Sequence, residues 1–156
     1  MEGKFRKRRR AGGNAVVEVS LLMPWFVFLF MGVFDFGFYA YAMIATENAA
    51  RAATAYLATS YNLAQKEATN PAPATSLGAC QIVLEEMRRL PNISTKVSAC
   101  GALPVKVQVY QPVKELDGSR SVRLRVTYQT VQLFPIPGLT GLLTINREVQ
   151  MRIHGV

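Results

Sequence analysis

Few side chains in this sequence have the type and spacing to do chemistry, and Glu18 is the most informative of them. Between Arg10 and Asp35 it is the only charged residue. A carboxylate at membrane depth costs about 2.5–3.5 kcal/mol on insertion scales, so it calls for a partner. Residues one turn away, Asn14, Ala15, Leu21 and Leu22, offer no cation. A cut after Gly13 would supply one, because Asn14 would then carry a free α-amino group able to meet Glu18 of an adjoining copy. The alternative is a shallow Glu18 that snorkels into headgroups near Arg10.

The remaining candidates are sparse. Cys80 and Cys100 are the only cysteines. In an exported domain they would meet an oxidising compartment and could join; the other reading is two separate buried thiols. A bridge would close a loop of about 20 residues, worth about 3 kcal/mol in the chain-entropy model. Two cysteines without histidines at ligand spacing do not make a metal site. The one histidine, His154, lies two residues from the C-terminus and is a poor anchor for a nucleophilic relay. Glu85 and Glu86 are adjacent, so on a helix they point apart and form no dyad. No phosphate-cradling glycine loop is present. We therefore expect no enzyme, no cofactor and no metal.

The element that must position Glu18 is an apolar run. Asn14 to Phe34 supplies the roughly 20 residues a helix needs to cross about 30 Å of hydrocarbon. Leu21, Leu22, Met23 and the stretch Trp25 to Met31 leave no polar face. Lys4, Arg6, Lys7, Arg8, Arg9 and Arg10 precede the run, whereas the first charges beyond it are Asp35 and Glu47. That asymmetry keeps the N-terminus cytoplasmic and exports the rest. Phe34, Phe36, Phe38, Tyr39 and Tyr41 would form an outer aromatic belt. The formal net charge is +8, of which residues 1–13 contribute +5 through six bases and one acid. The basicity is mostly a topology signal, and nucleic-acid binding is not expected. A cleaved secretory signal is the competing reading, but its apolar core is usually about 7–15 residues. This run is longer and contains Glu18, and the Ala40-Tyr41-Ala42 site lies beyond Asp35. Pro24 removes a donor and crowds the Ser20 carbonyl, which predicts a kink there. Asp35 lies seventeen residues after Glu18, about 100° around the helix, so the two acids form no single stripe.

The sequence then stays helical to about residue 70, with Glu47 and Arg51 at i, i+4 spacing. Tyr41, Ile44, Ala52, Ala55 and Leu63 are the expected core-facing stripe. Pro71 and Pro73 end the helix. Thr75 or Ser76 is placed to cap a second helix reaching about Leu90, with Leu77, Cys80, Val83, Leu84 and Met87 on one side. The period then becomes two: Val105, Val107, Val109; Val122, Leu124, Val126, Tyr128; Val149, Met151, Ile153. Asp117-Gly118 marks a turn. Residues 134–143 read as an irregular crossing in which Leu139, Leu142 and Leu143 could touch membrane or a partner, with local packing the favoured reading. The expected fold class is α+β, a long N-terminal helix and a second helix covering a small antiparallel sheet. Four regions follow: a basic leader 1–13, a transmembrane half-helix 14–35, an exported half-helix 36–70, and an exported α+β domain 71–156.

One order of motifs is specific. Gly13-Asn14-Ala15-Val16-Val17-Glu18, then Leu21-Leu22-Met23-Pro24, Gly32-Val33-Phe34-Asp35-Phe36-Gly37 and Asn48-Ala49-Ala50-Arg51-Ala52-Ala53 resemble TadE-like proteins. These are minor pseudopilins of bacterial tight-adherence (Flp/Tad) pili. The resemblance covers about Gly12 to Ala58. The major pilin of such systems is much shorter and usually has Glu-Tyr at the processing motif, whereas Val19 follows Glu18 here. The resemblance implies a pilin-like fold and cleavage after Gly13 by a prepilin peptidase. It also implies an inner-membrane location and partnership with other pilins, pseudopilins and the inner-membrane assembly platform. The lipid bilayer is the partner implied by the span itself. The alternative is an uncleaved single-pass envelope protein whose exported domain is a binding module.

Overall fold

The computed structural model describes residues 14–68, 78–93, 97, 99–131 and 142–154. The chain divides into two compact units, Met1–Gly37 and Phe38–Val156. Helix α1 runs from Asn14 to Leu57. Its first part belongs to the first unit, where the apolar side chains from Val16 to Phe30 are exposed.

In the second unit, α1 from Phe38 onward lies in one hydrophobic core with the sheet and two short helices. The helix buries Ala42, Thr46, Ala49, Ala50, Ala53, Thr54 and Leu57. This corrects the expected stripe, since Tyr41, Ile44 and Ala55 are exposed. Alanines and two threonines line the inner face of the helix, and the bulkier Tyr41 and Ile44 point away from it. Two buried hydroxyls are satisfied within the helix: Thr46 donates to Ala42 O at 2.7 Å and Thr54 to Ala50 O at 2.6 Å.

The helical region does not continue unbroken to residue 70. It divides at Ala58-Thr59-Ser60, after which α2 spans Tyr61–Ala68. Thr59 Oγ1 donates to Tyr56 O at 2.7 Å and closes the last turn of α1. Hydroxyl residues compete with helix continuation by such local bonds. Helix α3 covers Gly78–Glu86 and stops short of the expected Leu90. Leu90 precedes Pro91, which disfavours helical backbone at Leu90. The chain therefore tightens into three-residue turns, Arg88 N to Glu85 O and Leu90 N to Met87 O. Pro71, Pro73, Thr75, Ser76, Leu77 and Leu139 lie outside the described residues.

Five antiparallel strands follow: β1 Gly101–Ala102, β2 Val105–Val109, β3 Val113–Lys114, β4 Arg120–Gln129 and β5 Thr144–Arg152. Strand β4 is central, with β2 and β3 along one side and β5 along the other. Val122, Leu124, Val126 and Tyr128 are fully buried, as the alternation predicts. The opposite face is polar: Arg123 and Arg125 both reach Glu148, and Thr127 donates to Asn146. Asp117 and Gly118 form the β3–β4 turn, with Gly118 at φ +83° and Asp117 Oδ1 accepting from Ser119 N at 3.0 Å. Hydrogen bonding from Ser119 holds the Asp117 carboxyl below its usual range, helped by Arg152 2.7 Å away.

Candidate functional site

Glu18 is exposed on the first turns of α1, at the start of a helix long and apolar enough to cross a membrane. Asn14 is the first helical residue, and Gly13 lies just outside the described residues. Beyond Glu18, Val19, Leu21, Leu22, Met23, Trp25 and Phe26 are all exposed, so the run presents hydrocarbon on every side. Pro24 sits inside α1, and the helix runs through it. Proline at this position leaves the Ser20 carbonyl without its usual donor. Ser20 itself bonds back, its Oγ donating to Val16 O at 2.8 Å.

The two cysteines are joined. Cys80 on α3 and Cys100 before β1 form a disulfide with a Cα–Cα distance of 5.8 Å. Both are buried, and Val107 N donates to Cys100 O at 3.0 Å, so the bridge ties α3 to the edge of the sheet. The other candidates stay apart. His154 is exposed, and its backbone N–H donates to Ala58 O at 2.9 Å. Glu85 and Glu86 are exposed, with Glu85 paired to Arg88 at 3.5 Å. Glu47 accepts from Arg51 Nε at 3.0 Å and lies 3.6 Å from Arg147 Nε on β5.

Three positioning residues had no sequence signal strong enough to single them out. Glu67, at the end of α2, is buried and accepts from Gly78 N at 3.0 Å and Ala79 N at 3.2 Å. It caps α3 from a distance, satisfying two of the unpaired N–H groups of a helix start. Burial raises its carboxyl pKa, and those two backbone bonds offset part of the rise. Asn92 bridges two groups of β4, its Nδ2 donating to Gln129 O at 2.9 Å and its Oδ1 accepting from Tyr128 Oη at 2.7 Å. Burial pushes the Tyr128 phenol up to about 12. Gly78 is the third: a Cβ there would meet Tyr56 Oη at 2.5 Å. Without a side chain at this position the helix start lies directly against the Tyr56 ring.

The family model described as TadE-like protein matches residues 13–55. The match begins at Gly13, takes in Glu18, Pro24 and the whole uncharged run, and ends before α2 and the sheet. No curated protein and no solved structure matches the chain. Residues 13–55 of this protein are therefore similar to TadE-like proteins.

Proposed function

We propose that this protein is a non-enzymatic minor pseudopilin of a Tad pilus, acting in its initiation, assembly or tip. Residues 14–35 span the inner membrane once, with the basic leader in the cytoplasm and the disulfide-bonded domain exported. A prepilin peptidase removes residues 1–13, and the anchor helix joins other pilins and pseudopilins and contacts the assembly platform. The carrying observation is Glu18: one exposed carboxylate in a stretch of helix, Asn14 to Phe34, that is otherwise uncharged, within a TadE-like segment whose match starts at the predicted cut.

The roles of the residues follow from electrostatics. A carboxylate in hydrocarbon is stabilised only when a cation reaches it, and the amine released at Asn14 of an adjoining subunit is such a cation. The pairing would set axial register, because the amine must arrive at the height of Glu18. Mass spectrometry of the mature N-terminus tests the reading. Loss of residues 1–13 supports it, and retention points to an uncleaved single-pass envelope protein. Glu18→Gln should leave membrane insertion intact and impair incorporation beside partner pilins; normal incorporation would remove the proposed role.

A further inference from the structure

Two contacts fix how β5 runs along α1. Arg147 lies 3.6 Å from Glu47, and His154 N donates to Ala58 O at 2.9 Å. The strand therefore follows the helix toward Leu57, and its start at Thr144 lies level with the helix before Glu47. Strand register brings other segments to that end. Gln129 pairs with Thr144, Gln129 N donates to Pro104 O at 2.9 Å, and Thr130 N donates to Leu143 O at 2.9 Å. The β1–β2 turn, the end of β4, the start of β5 and the first turns of α1 in this unit thus converge, and Asn92 ties the segment after α3 to the same end.

These segments share a composition. Residues 38–46, 99–105, 126–131 and 142–146 contain no Asp, Glu, Lys, Arg or His. The sequence between them, 132–141, contains none either. The first charges inward are Glu47, Lys106, Arg125 and Arg147. The opposite end carries Lys114, Glu115, Asp117, Arg120 and Arg152 around the β3–β4 turn. The uncharged end also exposes large apolar side chains: Ile44 61%, Leu142 60%, Leu103 52%, Tyr41 46% and Leu143 40%. Local packing was the favoured expectation for Leu142 and Leu143; their exposure favours the other reading, contact with membrane or a partner.

We infer that this uncharged end is a membrane-docking surface, seated in the interfacial layer of the lipid bilayer by Leu103, Leu142, Leu143, Tyr41 and Ile44. The inference rests on the reading of residues 14–35 as a span. Contiguous exposed apolar groups mark interaction sites, and leucine with tyrosine suits the headgroup–acyl boundary. Lipid is the occupant because the chain leaves this end directly into the helix that is apolar enough to cross a membrane. The nearest charges on the segment that Asn92 ties to the end of β4 are the exposed Arg88 and Arg89, cations that suit lipid phosphates at the rim of such a surface. Docking would hold the exported domain down on the bilayer until pilus assembly withdraws it.

Full-length protein in phosphatidylcholine vesicles, with bromine carried shallow or deep on the acyl chains, tests this. Trp25 is the only tryptophan and reports on the span. The variants W25F/L142W and W25F/L103W place one reporter each on the proposed surface. W25F/L116W places one at the β3–β4 turn, where Leu116 is fully exposed. Shallow bromines should quench the L142W and L103W reporters and accompany a blue shift, while the L116W reporter keeps its emission and deep bromines quench Trp25. Quenched Trp25 with L142W and L103W behaving like L116W would overturn the docking surface and leave the span standing. Unquenched Trp25 would instead remove the span itself, and the docking surface with it. Protection from water that shows no bromine quenching and grows with the protein-to-lipid ratio would assign the surface to a second copy, overturning the lipid reading.

Discussion

Breaking the Cys80–Cys100 bridge should lower the stability of the sheet domain by about 3 kcal/mol, through the chain entropy released when a loop of sequence separation 20 is opened. Comparing oxidised with reduced wild-type protein isolates this effect, because both buried sulfurs remain in place. For a unit spanning Phe38–Val156, that free energy corresponds to a fall in Tm of about 12 °C. Two ties act in the same region: Asn92 is bound to β4, and Val107 N to Cys100 O. Structure that persists in the unfolded chain would reduce the difference, so about 3 kcal/mol is the upper end. The assay is thermal melting of the full chain in detergent, followed by near-ultraviolet circular dichroism so that the apolar helix does not dominate. Coincident midpoints for the two forms would refute the reasoning, because the bridge would then constrain nothing in the unfolded ensemble.

Gly78→Ala should destabilise the domain by about 1–3 kcal/mol, since the added methyl meets Tyr56 at 2.5 Å. The same change made beside Tyr56→Ala should cost much less, as denaturant titration of the two pairs would read. Glu67→Ala should cost about 1 kcal/mol by uncapping α3. Because the folded chain holds the Glu67 proton more tightly, this group's share of stability is complete below about pH 4.5 and declines as pH rises through the folded value. Stability measured across that range should rise less steeply for wild type than for the E67A chain. Tyr128 gives an alkaline signature: with its phenol pushed up to about 12, the stability present below pH 10 is lost as pH rises toward 12. The loss is at most about 2–3 kcal/mol, and Tyr128→Phe should flatten it.

The strands were legible because one-sided burial imprints a period of two. Val105 to Val109 and Val122 to Tyr128 fall within observed strands, as do Val149 and Met151 of the third alternation, with Ile153 one residue past β5; Asp117-Gly118 forms the turn between β3 and β4. The two-residue strands β1 and β3 are too short to leave a periodic trace. The inner face of α1 was misread because size was taken as the sign of burial. Here the small residues Ala42, Ala49, Ala50 and Ala53 line the buried face, and Ile44 is turned outward. The break at Thr59-Ser60 had only a weak local sign, two hydroxyl residues in an otherwise alanine-rich helix. Glu67 and Asn92 had none, because their partners lie 11 and 12 residues away for Glu67 and 36 and 37 for Asn92. Contacts of that separation are set by the fold and leave no mark in a local window. For the anchor, Glu18 stood out from composition alone, as a single charge in an uncharged run.

A lipid-soluble carbodiimide, which condenses a carboxylate with an amine in direct contact, probes the proposed pairing inside the assembled pilus. Peptide mapping should find Glu18 joined to the first residue of a neighbouring pilin, Asn14 where that neighbour is another copy. Recovering Glu18 unlinked, on chains that still carry residues 1–13, would contradict the account.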